Sequence, residues 1–72
     1  MDKMIFGERL KKLRKRDGVT QTELAEATGL SQSAITAWEV GTNFPTAAVI
    51  VVLAEYFSVT SDYLLGLSDK TN

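Results

Sequence analysis

Apolar residues recur along this chain with helical spacing, in segments punctuated by glycine, proline and small hydroxyl residues. Phe6, Leu10 and Leu13 fall at i, i+4 and i+7 with Ile5 beside them, which predicts an amphipathic helix from about Met4 to Arg16. Asp17-Gly18 supplies its stop. Thr20-Gln21-Thr22-Glu23 has the spacing of a capping box, in which the Thr20 hydroxyl and the Glu23 carboxylate answer the unpaired amides of a helix start. Leu24 and Ala25 follow, and Gly29 ends this second helix. Ser31 caps a third, Gln32 to about Val40, with Ile35 and Trp38 inward and Gly41 closing it.

After the loop Asn43-Phe44-Pro45, Thr46 is a suitable cap for a fourth helix running to about Phe57. Thr60, with Asp62 in the first turn, opens a short fifth helix that stops near Leu65-Gly66. The β-branched run Val49–Leu53 also suits a strand, but no partner strand exists elsewhere, so helix is the stronger reading. Ile50, Leu53, Ala54 and Phe57 form its core stripe. Val49, Val52 and Tyr56 would then be exposed on a single copy. Joined by Leu64, Leu65 and Leu67, they are expected to form the face of a homodimer.

Seventy-two residues make one domain, expected over 1–67, followed by a flexible polar tail over 68–72. Cysteine and histidine are both absent. That removes the commonest metal ligands and the usual general base, and no nucleophile is paired with a base. The expectation is a protein that is not an enzyme and needs no metal, cofactor or small-molecule ligand. No apolar run is long enough for a membrane span or a secretion signal, and the cytoplasm is the expected location.

The net charge of −1 hides an asymmetry. Residues 1–16 hold seven bases against two acids, a net of +5, whereas residues 17–72 hold one base against seven acids, a net of −6. A basic end of this kind, with Lys11 and Lys15 among its charges, can steer toward phosphates while the rest stays acidic. The plainer alternative is a solvated helix face.

The most informative stretch is Gln21–Trp38, two short helices joined by a turn of about three residues that contains a glycine. Ala25 is small where the helices must approach, and Leu24, Leu30, Ile35 and Trp38 fix their crossing. One face of the third helix is left projecting, bearing Gln32, Ser33, Thr36 and Ala37.

TQTELAEATGLSQSAITAWEVG resembles the helix-turn-helix of the phage repressor and Cro proteins, the XRE-type regulators. FGERLKKLRKRDGVTQTELA is similar to that family's first two helices, and LAEYFSVTSDYLLG to its last two. The resemblance implies an all-α, compact five-helix, lambda-repressor-like domain that binds double-stranded DNA with its third helix in the major groove. It assigns base reading to Gln32, Ser33, Thr36 and Ala37. Glutamine can bond bidentately to adenine, serine and threonine can donate or accept, and an alanine methyl can meet a thymine methyl. The resemblance also places Gln21 on the DNA backbone and implies an ion pair between Arg14 and Glu39. That pair would leave the Arg14 guanidinium near the phosphates. Thr20, Thr42 and Asn43 are further backbone candidates. The function implied is a bacterial or phage transcriptional regulator, a repressor binding a near-palindromic operator as a homodimer.

The chain departs from that family in having no Lys or Arg from residue 17 to residue 69. Phosphate neutralisation must come from the first helix plus amides and hydroxyls. The competing expectation is a protein-interaction module of the same fold with weak or lost DNA binding.

Overall fold

The computed structural model describes residues 2–72, which form α1 (Lys3–Arg16), α2 (Gln21–Thr28), α3 (Gln32–Val40), α4 (Ala47–Phe57) and α5 (Ser61–Leu64). Each start is held by a side chain, and for α2 to α5 it is the expected one. Asp2 accepts from the Met4 amide, and the hydroxyls of Thr20, Ser31, Thr46 and Thr60 accept from the amides of Glu23, Ala34, Val49 and Tyr63. The β-branched run of α4 is helical because Thr46 caps it and its core stripe finds partners. Ile50, Leu53, Ala54 and Phe57 are all buried.

The helices enclose one core in a body of 27 × 24 × 21 Å. Phe6, Leu10 and Leu13 of α1 meet Leu24, Ile35, Trp38, Leu53, Phe57 and Leu64 there. Phe44 closes one end, its ring edge-on to Phe6 at 5.6 Å between centroids. The α1 helix lies between α3 and α5, packed against both. Toward α3 it presents Gly7, where a Cβ would run into the Trp38 carbonyl oxygen and stand 2.7 Å from that of Glu39. The glycine sets how closely the two helices approach.

One expectation about the C-terminal end is corrected. Leu64 is fully buried in the core, because α5 is only four residues long and its last turn points inward, so its side chain is closed to a second copy. Residues 69, 70 and 72 of the polar tail are exposed, but the tail makes contacts with the domain. Arg9 reaches from α1 to donate to the carbonyls of Tyr63 and Ser68 and to pair with Asp69, and its guanidinium stacks on the Tyr63 ring at 4.4 Å. The Thr60 amide donates to the Thr71 carbonyl at 2.8 Å, completing the tether.

The apolar surface of α4 also differs in detail. Val49 is half-buried against the core, while Val51, Val52 and Tyr56 are 50%, 36% and 38% exposed. Leu65 is half-buried, and Leu67 stands out at 73%. Val51 is an addition to the expected face, and the signal for it is the exposed Glu55 four residues on, which marks that side of α4 as outward.

Candidate nucleic-acid interface

The α2–α3 unit is built by its turn. Gly29 adopts φ 77°, a left-handed conformation that a side chain would strain, and its amide bonds to the Ala25 carbonyl. The Thr28 hydroxyl donates to the Leu24 carbonyl at 2.7 Å, and Ser31 then restarts the chain as α3. Ile35 and Trp38 are buried, so the opposite face of α3 is set outward. Gln32, Ser33 and Thr36 are exposed there, and Ala37 is half-buried at the edge. Val40, 58% exposed, extends the Gln32–Thr36 row by one further turn. The i+4 spacing from Thr36 is the signal for it in the sequence.

Behind this face runs a chain of hydrogen bonds through three helices. Arg14 donates from Nε to Glu39 Oε2 at 2.6 Å and from Nη2 to Glu39 Oε1 at 2.8 Å, and its Nη1 donates to the Val19 carbonyl at 2.9 Å. Gln21 Nε2 donates to Glu39 Oε1 at 3.1 Å, and the Thr36 hydroxyl donates to Gln21 Oε1 at 2.7 Å. The two charged side chains are 11% and 4% exposed. The fork to Glu39 pushes the Arg14 guanidinium above its ordinary range, against the opposing effect of burial. Each of the three Arg14 nitrogens has an internal partner and the side chain is nearly enclosed, so it braces α3, while one N–H on each of its two terminal nitrogens stays unused by these bonds.

A helix-turn-helix family model matches residues 10–64. The chain belongs to the helix-turn-helix family, of the XRE type that its sequence resembles. Among relatives of this helix-turn-helix chain, the HTH-type transcriptional activator BcrR of Enterococcus faecalis is 40% identical over 63 residues, which is 88% of this chain and 31% of that protein. The uncharacterized regulator YobD of Bacillus subtilis is 35% identical, over 90% of this chain and 58% of its own. YazB of the same organism, also an uncharacterized HTH-type regulator, is 36% identical over 89% of this chain and 93% of its own. The chain therefore spans about a third of the first of these and somewhat over half of the second.

Around the helix-turn-helix, the basic residues of α1 divide into two edges. Lys11 is four residues on from Gly7 and three before Arg14, both of which face α3, and Lys15 follows one turn later. These two exposed lysines flank the α3 side. Arg9, Lys12 and Arg16 line a groove beside Tyr63 and Thr71 on the α5 side, where Arg16 also pairs with Asp17 and donates to the Phe57 carbonyl at 3.0 Å. The asymmetry in sequence charge did not reveal this split, which depends on the angle of each residue around α1.

The remaining candidates serve the scaffold and face solvent together. Thr20 and Glu23 form the full capping box, with bonds of 3.0 and 2.9 Å, and hold the Glu23 carboxyl below its usual range chiefly through the Thr20 backbone amide. The Thr20 hydroxyl accepts from the Glu23 amide and also supports the Glu23 carboxylate, so it serves the cap first. Thr42 donates to the Ala37 carbonyl at 3.3 Å, and Asn43 Oδ1 accepts from the Phe44 amide at 3.0 Å, leaving the Asn43 amide nitrogen facing solvent.

Proposed function

We propose that this domain binds double-stranded DNA with sequence preference and regulates transcription, seating α3 in the major groove. The observation that carries the reading is the outward Gln32, Ser33 and Thr36 face, uncharged and rich in donors and acceptors, on a helix locked from behind by Arg14 and Glu39. Such a surface gains little from water alone but matches base edges. Ala37 and Val40 offer methyl groups to thymine. Gln21, Thr20, Thr42 and Asn43, with the α2 amides and Lys11 and Lys15, hold the flanking phosphates. Two lysines per copy make the electrostatic contribution small, with a salt slope of roughly −2 per copy.

Affinity of that kind calls for two copies. The exposed Val51, Val52, Tyr56 and Leu67 supply an apolar face for a two-fold dimer, which would set two α3 helices about 34 Å apart on a near-palindromic operator. Repression follows most simply, since a domain filling the groove blocks polymerase by bulk and needs no second activating surface. Its setting would be the cytoplasm of a bacterium or a phage-infected cell.

Selection of bound duplexes from a random pool, at near-physiological salt, tests this. A palindromic motif that Gln32→Ala relaxes at one base pair per half-site supports the reading. Sedimentation of Val52→Asp tests the dimer, which should dissociate without loss of helix. The scarcity of free cations beside α3 favours one rival, a protein-interaction module built on the α4 face. Absence of any motif, together with binding abolished by modest salt, would overturn the DNA reading and turn the search to a protein partner for the α4 face.

A further inference from the structure

The hydrogen-bond chain behind α3 has a direction, and that direction reaches the outer surface. It starts at a charge. Glu39 is an acceptor only, and Arg14 already donates to both of its oxygens. Any further partner of Glu39 must donate, so the Gln21 side-chain amide has to turn its nitrogen toward Glu39 Oε1. Its oxygen then faces Thr36. A carbonyl oxygen can only accept, so the Thr36 hydroxyl must give its single proton inward, at 2.7 Å. The other neighbour of that hydroxyl is the Gln32 carbonyl at 3.1 Å, which is likewise only an acceptor. Whichever of the two takes the proton, it stays within the protein.

We infer that Thr36 meets DNA as a hydrogen-bond acceptor alone, and so selects a base that presents an amino group in the major groove, adenine or cytosine, at its position. The inference rests on the proposed DNA reading and sharpens it. A threonine without this backing would donate or accept at need and discriminate little. Here the exposed Oγ1 lone pairs face a groove acceptor such as guanine O6, N7 or thymine O4 with no proton to share, and the base is left unpaired. The charge that enforces this lies on Glu39, which touches no base.

Selection with the wild type and with Thr36→Val identifies the base pair whose preference that substitution relaxes. Valine keeps the shape and removes the oxygen at an exposed position. Binding is then measured on duplexes in which that pair has lost its groove amino group (purine for adenine, or 2-pyrimidinone for cytosine), and on 7-deaza duplexes that have lost a groove acceptor instead. The wild type should weaken roughly 3- to 10-fold on amino deletion, Thr36→Val should not respond, and the 7-deaza change should leave the difference between the two proteins intact. Equal weakening of both proteins by amino deletion overturns the inference, as does a Thr36 contribution that vanishes with the 7-deaza base. A wild type that enriches no motif overturns the DNA reading itself.

Discussion

Arg14 and Glu39 meet in a two-bond fork, 25 positions apart in sequence, and Glu39 is the more deeply enclosed partner. The arginine ties α1 to α3 and also reaches the Val19 carbonyl ahead of α2. Removing it leaves a carboxylate with little water and one neutral donor. Arg14→Met should therefore cost about 3–5 kcal/mol in urea unfolding. The double variant Arg14→Met with Glu39→Leu should be less destabilised than Arg14→Met alone. A double variant as unstable as the sum of the two single changes would show that the charges do not act as a pair.

Gly7 faces the carbonyls at the end of α3 across a gap that no Cβ fits. Helix propensity favours alanine there, by about 1 kcal/mol in an open helix. Crowding against backbone, which cannot step aside as a side chain can, should outweigh it. Gly7→Ala is expected to destabilise the fold by about 1–3 kcal/mol, measured by the same unfolding, and to displace α1 from α3.

Ser58 ends α4 in the left-handed region, at φ 56° and ψ 44°, and is the non-glycine residue with positive φ among the described residues. Its side chain is exposed, so relief of strain should dominate any loss. Ser58→Gly should stabilise by about 1 kcal/mol, raising the thermal midpoint by about 4–8 °C. An unchanged or lowered midpoint would refute this account of the cap.

The capping box of α2 gives a pH signature. Glu23 accepts from the Thr20 amide and its folded-state pKa is depressed, so its contribution is present above the unfolded value and is lost as pH falls through the folded one. Stability should decline in acid below the usual carboxylate range. In Glu23→Gln the carbonyl still accepts from Thr20 but does not titrate. The difference in stability between the two proteins should shrink in acid, and a constant difference down to low pH would exclude this role.

Local signals were the legible ones. Thr20, Ser31, Thr46 and Thr60 cap where their spacing from the apolar stripes requires, and the α4 core stripe follows from period alone. Leu64 was misplaced because four residues are too few to show which way a helix faces. The fork between Arg14 and Glu39 came from resemblance, since no periodicity links residues so far apart. The reach of Arg9 to Asp69 and the close approach at Gly7 arise only once α1 has packed. A glycine inside an otherwise strong helical pattern was the available clue to the second.

The clasp that Arg9 makes on Ser68 and Asp69 holds the end of the chain against α5, across α1 from α3. The domain therefore carries a natural handle on its back. A dye, a surface anchor or a fused protein joined after Asn72 would leave in a direction away from Gln32 and Thr36. Such an attachment leaves the face offered to a duplex clear, provided that its linker lets two copies meet through Leu67 and α4.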